Sequence, residues 1–192
     1  MGLRDRNIDW LRQSYVIGAE RFGFTGTTDG TSVTVTLGAG APPATEISSF
    51  GYAGLLYDSS GTADKASAID FQLPRVADYE QAIGVRVLWC PVATVATDDS
   101  ITWSVTYDQC DVGEALTTPV DGTGTELSTA IAAQTPTATT TLALHRGARG
   151  IINANVFDAD FRNGAVAWSV DVSARSGFGA NEVSLLGLEI DY

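Results

Sequence analysis

From residue 31 onward, apolar and polar side chains alternate along much of the chain with a period of two. The clearest run is residues 101–108, in which every second side chain is apolar and the others are Thr, Ser or Asp. Strict alternation is typical of antiparallel strands with one face buried and one face in water. The apolar positions of these runs are Val33, Val35, Leu37, Ile69, Phe71, Leu73, Val85, Val87, Trp89, Ile101, Trp103, Val105, Tyr107, Leu142, Leu144, Val166, Trp168, Val170, Val172, Leu186, Leu188 and Ile190.

Turn residues separate these runs, and helical periodicity between them is nearly absent, which excludes parallel βαβ units. One exception is residues 125–133, where Leu127 and Ile131 share a face and predict a short helix. The pattern therefore predicts an all-β fold over residues 25–192, an antiparallel β-sandwich of jelly-roll type. The turns are expected at Asp29-Gly30, Gly38–Pro43, Asp58–Gly61, Asp98-Asp99 and Asn163-Gly164.

Residues 1–24 have a different pattern and are predicted to form an N-terminal arm with a short helix. Ile8, Leu11 and Tyr15 recur at helical spacing in a stretch without Gly or Pro, and Trp10 flanks them. A helix this short is marginal alone, so we expect it to pack against the body, a sister subunit or another partner. Ile8, Trp10, Leu11 and Tyr15 are accordingly the candidate partner-binding residues.

Composition narrows the classes of partner. The formal net charge of the 192 residues is -12, which argues against nucleic-acid binding because that needs basic patches. No run approaches the roughly 20 apolar residues of a membrane span, so no membrane partner is expected. The charged start of the chain is unlike a secretion signal, which favours synthesis in the cytoplasm.

The two cysteines are predicted to be free thiols. If the runs that end near Cys90 and Cys110 pair as an antiparallel hairpin, the two residues lie at opposite ends of it. Their separation then exceeds the roughly 7 Å that a disulfide allows between Cα atoms. Free, buried thiols agree with a chain that matures in a reducing cytoplasm.

Candidate chemistry is sparse. His145 is the only histidine, so neither a nucleophilic triad nor a His/Cys zinc cluster is indicated. Asp158 and Asp160 faintly resemble a calcium loop, but Arg162 occupies a ligand position and Ser169 replaces the terminal glutamate. A wet hairpin tip is the better interpretation there. We expect no enzymatic activity, no cofactor and no metal.

The four tryptophans divide into two groups. Trp89, Trp103 and Trp168 fall on the apolar side of their predicted strands, which favours core packing over a sugar-binding platform. Trp10 lies in the arm and is the aromatic residue best suited to anchor an interface.

The sequence resembles a family of small jelly-roll proteins that decorate, or cement, the heads of tailed bacteriophages. The resembling segments run through nearly the whole chain: RNIDWLRQSYVIGAERF, IDFQLPRVADY, IGVRVLWC, SITWSVTYDQCDVGEALTTP, RGARGIINANV and LLGLEIDY. The resemblance implies a structural virion protein, made in the host cytoplasm, that binds the major capsid protein on the capsid exterior as a homotrimer. It implies an N-terminal arm used for anchoring, and no cofactor or catalysis.

Two other functions fit the same sequence. A glycan- or receptor-binding module of a phage particle would need solvent-exposed aromatic side chains. A carboxylate-based hydrolase on a jelly roll would need paired acidic residues, for which the sequence gives no positive signal.

Overall fold

Strands dominate the computed structural model, which describes residues 13–25, 44–46, 53–57, 65–76, 80–92, 94–96, 98–113, 125–136, 142–157, 164–178 and 183–192. In these residues the helical elements are a 3₁₀ turn at Ala19–Arg21 and a single α-helical turn, α1. The elements are β1 Ser14–Gly18, β2 Gly23–Thr25, β3 Ala44–Glu46, β4 Ala53–Tyr57, β5 Lys65–Asp70, α1 Leu73–Val76, β6 Ile83–Pro91, β7 Ser100–Cys110, β8 Thr125–Glu126, β9 His145–Arg146, β10 Gly150–Ile152, β11 Ala165–Ser176 and β12 Val183–Asp191.

The strands form two antiparallel sheets. Sheet 1 has the order β10-β6-β12-β4-β3; β1 pairs with β12, and β9 pairs with β6. Sheet 2 has the order β2-β5-β11-β7-β8. The chain passes repeatedly from one sheet to the other, as it does in a jelly roll. The prediction of an all-β antiparallel sandwich is confirmed.

One hydrophobic core lies between the sheets. The alternating apolar side chains of β7 and β11 are buried as predicted, and so are Val85, Val87 and Trp89 of β6. Tyr57 of sheet 1 connects the two layers directly. Its ring meets that of Trp103 edge-on at 5.3 Å, and its hydroxyl donates to the backbone oxygen of Val170 at 2.8 Å.

The inward face of β5 is the opposite of the predicted one. Ile69 and Phe71 are 44% and 58% exposed, whereas Asp70 is buried. The reason lies in the register with β11, which places Ala68 opposite Trp168. A small side chain at that position leaves room for the indole, and the partners of Asp70 described below satisfy its carboxylate.

Two other segments depart from the predicted pattern. Residues 125–133 are not helical: after β8 the chain is extended, and Thr129 forms an isolated bridge to Ile151. Leu127 and Ile131 are nevertheless buried, so the apolar pair was read correctly and its periodicity was not. Leu142 and Leu144 lie outside the strands and are exposed.

A bulge in β12 changes the face on which its leucines lie. The register with β6 shifts between Leu185 and Gly187. Leu185, Leu188 and Ile190 are therefore fully buried, whereas Leu186 is only partly buried. Simple alternation would have placed Leu186 with Leu188 and Ile190, and the extra residue of a bulge breaks that sequence.

The predicted N-terminal helix is wrong for residues 14–16. These residues belong to β1, which pairs with β12 from Ser14 to Gly18. The Tyr-Val-Ile sequence of β1 fits a strand better than a helix, and the pairing buries Ile17 to 3% exposure. Residues 23–25 then enter sheet 2 beside β5.

The described part of the predicted arm, residues 13–24, therefore lies within the two sheets. Residues 1–12 are outside the described residues, and for them the division into arm and body stays a prediction. The predicted strand at 31–37, the turns at 29–30, 38–43 and 58–61, and the acidic residues Asp158 and Asp160 also lie outside the described residues.

The predicted hairpin between the two cysteine-bearing runs is wrong, because β6 lies in sheet 1 and β7 in sheet 2. The conclusion drawn from it nevertheless stands. Cys90 and Cys110 are both buried free thiols.

Candidate functional site

The N-terminal edge of sheet 1 is where the described chain begins. Gln13 and Tyr192 exchange two backbone hydrogen bonds, of 3.1 and 2.9 Å, so the ladder between β1 and β12 continues to the last residue. The Tyr192 hydroxyl also donates to Oε1 of Gln13 at 3.2 Å. Residues 1–12 therefore join the sandwich beside the end of β12.

Of the four candidate partner-binding residues, the structure places one. Ile8, Trp10 and Leu11 lie outside the described residues. Tyr15 lies in β1, half-buried, with its ring 6.0 Å from that of Tyr192. The four residues are thus not brought together in the described structure.

The backbone of β1 is bonded on one side. Because Gln13 and Tyr192 form a hydrogen-bonded pair, the alternation of an antiparallel ladder directs the peptide groups of Tyr15 and Ile17 toward β12. The peptide groups of the intervening residues point to the other edge, where no described strand pairs with β1. The β1 strand therefore depends on β12 and on its inward side chains for its position.

The inward side chain of Tyr15 reaches across the sandwich to a buried carboxylate. Its hydroxyl donates to Oδ2 of Asp70, which lies at the end of β5 in the opposite sheet. Asp70 also accepts the backbone N–H of Gln72 at 2.8 Å. Two longer contacts of 3.4 Å come from the Leu73 backbone N–H and from the Trp168 indole N–H.

These contacts make Asp70 the meeting point of three elements: β1, the start of α1, and β11. No arginine or lysine forms an ion pair with Asp70 among the described residues. Burial and the neighbouring Asp70 carboxylate both raise the pKa of Tyr15, so its hydroxyl keeps its proton and stays a donor. The group is suited to holding β1 in place and not to proton transfer at neutral pH.

Sequence reasoning missed Asp70 because it took Ile69 and Phe71 as the inward residues. A signal was present in the order Asp70-Phe71-Gln72-Leu73-Pro74. An acidic side chain followed by a proline near the start of a turn is typical of a capped helix start. The hydrogen bond from Gln72 to Asp70 is a capping contact of this kind.

The placement of the tryptophans bears on sugar binding. Trp89, Trp103 and Trp168 are at most 1% exposed and lie within the core. None of these three can stack on a sugar from solvent, so the prediction of core packing is confirmed. Trp10 lies outside the described residues.

His145 belongs to the core as well. Its ring stacks on that of Trp89 at 4.6 Å, and the indole N–H of Trp89 donates to Oε1 of Gln134 at 2.7 Å. Burial lowers the pKa of His145, so the neutral ring is favoured. A neutral histidine in an aromatic stack has a structural role.

Neither thiol chemistry nor a metal centre is indicated in the described part of the chain. Burial raises the pKa of Cys90 to about 11, so its thiol stays protonated and unreactive near neutral pH. No group of three or more His, Cys, Asp or Glu side chains is arranged to hold a metal ion in the described segments. Within the same segments, no helix has the length and apolar character needed to cross a membrane.

Charged side chains gather on the outer face of sheet 1, but they are paired with each other. Arg146 makes a two-pronged contact with Glu189 at 2.6 and 2.7 Å, and Arg149 contacts Asp191 at 3.0 and 3.2 Å. Gly84 lies beneath the second pair, where a Cβ would overlap both partners. These pairs tie the short β9–β10 region across β6 to β12.

Comparison with known proteins gives two likenesses in fold. No family model matches the sequence, and no curated protein matches it. A xylan-binding module, CBM15, has a TM-score of 0.45 and 11% identity, covering 94% of this chain and 96% of that one. The CBM22-1–GH10 modules of Clostridium thermocellum endo-1,4-beta-D-xylanase 10B, complexed with xylohexaose, have a TM-score of 0.44 and 13% identity.

The second likeness covers 94% of this chain but only 27% of the xylanase chain. At TM-scores below 0.5, neither likeness establishes a common fold or function.

Proposed function

We propose that this chain is a non-catalytic structural protein that binds the outer surface of a tailed-phage capsid as a homotrimer. Residues 1–12 are the anchoring segment, and Ile8, Trp10 and Leu11 are its apolar anchors. The major capsid protein is the partner. Synthesis takes place in the host cytoplasm, which the two buried free thiols support.

The observation that carries the proposal is the placement of the aromatic side chains. Three of the four tryptophans are committed to the core, and the fourth, Trp10, lies in the segment that precedes β1. Tryptophan is enriched among the residues that dominate interface energies. The sandwich itself holds this segment at one defined point, beside Tyr192.

Three copies of a weak anchor give a firm attachment. A fully buried Ile, Leu or Trp side chain contributes about 1.5–3 kcal/mol or more before the cost of ordering is subtracted. One segment therefore binds weakly. Linking three of them in one trimer raises the avidity by roughly 10²–10⁴ without a new kind of contact.

A glycan-binding module remains the second candidate, and the core position of three tryptophans disfavours it. Modules that bind sugars through an aromatic platform need those rings on the surface. The described aromatic side chain most exposed to solvent is Phe71, at 58%. A single phenylalanine beside the apolar Ile69 is a poor platform for a polar sugar.

Deletion of residues 2–12 tests the proposal. The full chain should co-sediment with mature capsids of the encoding phage from which outer proteins have been stripped, and the deleted chain should remain in the supernatant. Trp10→Ala should weaken binding about 30-fold, the effect expected for an interface tryptophan. Phe71→Ala, which removes an exposed aromatic side chain elsewhere, is the matched control and should bind normally.

Circular dichroism of each variant checks that its fold is retained. If the deleted chain still coats capsids at full occupancy, the assignment of the anchor is wrong. If the full chain ignores capsids but binds members of a glycan panel, the second candidate replaces the first.

A further inference from the structure

We propose that Asp70 is a positioning residue, which holds β1 in the sandwich through Tyr15 and thereby fixes the point from which residues 1–12 extend. The inference rests on the proposed function, because that segment is the one assigned to capsid binding. It adds a residue of the opposite sheet, far from the segment in sequence, to the determinants of that binding.

The geometry makes Asp70 the tie between β1 and the rest of the body. Along its backbone, β1 is bonded to β12. Across the core, the Tyr15 hydroxyl reaches Asp70 of sheet 2. That single contact is the described side-chain hydrogen bond that links β1 to the opposite sheet.

A carboxylate suits this position because every described neighbour that points at it is a donor. The Tyr15 hydroxyl and the Trp168 indole N–H converge on Oδ2, and the Gln72 and Leu73 backbone N–H groups converge on Oδ1. Asp70 is buried to 6% exposure, so loss of these donors would leave a carboxylate without partners in the core. Such a group is costly, and the arrangement is therefore held together as a unit.

The same atoms explain why the position is specific for an acid. An Asn side chain would place an amide N–H₂ group against one of the two pairs of donors. If the amide nitrogen replaced Oδ2, the Tyr15 hydroxyl could turn and accept from it, but the indole N–H of Trp168 has no acceptor function. Asp70→Asn should consequently retain part of the tie, and Asp70→Ala none of it.

Loss of the tie should act locally on β1. A hydrogen bond to a charged acceptor contributes enough that its removal raises local opening by about ten-fold or more. An open β1 no longer fixes Gln13 beside Tyr192. Residues 1–12 would then begin from a mobile point, and the three segments of one trimer would lose part of their joint orientation.

Hydrogen exchange of full-length Tyr15→Phe tests the inference, with Tyr57→Phe as the matched control. Both changes remove one hydroxyl that joins the two sheets, but Tyr57 lies in β4 and donates to Val170. We expect the β12-bonded amides of Tyr15 or its replacement and of Ile17 to exchange at least ten-fold faster in Tyr15→Phe. In Tyr57→Phe they should change no more than the core amides do.

Capsid affinity of the same two variants completes the test. Tyr15→Phe should bind several-fold more weakly than Tyr57→Phe, and Asp70→Asn should lie between wild type and Tyr15→Phe in both measurements. Unchanged exchange of β1 in Tyr15→Phe would overturn the tie, whatever the capsid result. Faster exchange with undiminished capsid binding would overturn the positioning role and leave the proposed function intact. Failure of the wild-type chain to bind capsids would instead overturn the proposed function, and with it the positioning role.

Discussion

The residues at the centre of the sandwich have their functions set by burial. Trp168 fills the space above Ala68, and its indole N–H points at Asp70. One residue away from Asp70 on either side, Ile69 and Phe71 face outward. Chemically similar side chains therefore have very different importance for stability, according to the face on which they lie.

Trp168→Ala should destabilise the fold by about 3–5 kcal/mol, because it removes a large, fully buried side chain and leaves a cavity. Phe71→Ala removes a side chain that is 58% exposed and should change the free energy of unfolding by no more than about 0.5 kcal/mol. Urea unfolding of both variants measures the difference. Equal losses in the two variants would contradict the assignment of faces in β5 and β11.

His145 should make stability depend on pH in a defined window. Burial lowers its pKa in the folded state, so the unfolded state binds the proton more tightly. Its contribution to stability is thus complete above the unfolded pKa of about 6.5 and is lost as the pH falls from there toward the folded pKa.

His145→Phe keeps a ring beside Trp89 and cannot be protonated, which makes it a suitable comparison. The difference in unfolding free energy between wild type and His145→Phe should shift against the wild type between pH 7.5 and pH 5.5. A difference that stays constant over that range would show that His145 is not held in its neutral form.

At the scale of elements, the sequence predicted those strands whose alternation is unbroken. The rhythm in β6, β7 and β11 was sufficient because each central strand has a neighbour on both sides and one clearly apolar face. It failed where a tertiary contact decided the outcome. The face of β5 follows its register with β11, and the face of Leu186 follows a bulge that alternation cannot show.

The N-terminal strand failed for a related reason. Residues 14–18 have helical spacing when counted with Ile8 and Leu11, and strand propensity when counted alone. Pairing with β12 decides between the two, and β12 lies about 170 residues later in the chain. The contact from Tyr15 to Asp70 was likewise not predictable, since it depends on how the two sheets stack.

Two deletions test whether β1 belongs to the body. Removal of residues 2–12 should leave the free energy of unfolding within about 1 kcal/mol of the wild type. Extending the deletion through Gly18 removes β1, including Ile17, and should cost at least about 2 kcal/mol from lost burial and ladder hydrogen bonds. Thermal or urea unfolding followed by circular dichroism compares the two, and equal stability would show that β1 is dispensable.

For the whole molecule, the charge and the layout have a common consequence. A body that belongs to a chain of net charge -12 stays soluble and avoids nucleic acid. Its arginines on the outer face of sheet 1 are paired with carboxylates and bind β9 and β10 to the sheet. The described surface thus offers a stable carrier, and attachment is left to residues 1–12, acting in several copies.

Multivalent attachment requires that the protein be an oligomer before it meets a capsid. Light scattering coupled to size-exclusion chromatography measures this on the purified full chain. With a protomer mass of 20.1 kDa, the account predicts a trimer of about 60 kDa that persists on dilution to low micromolar concentration. A mass of one protomer at every concentration would contradict it.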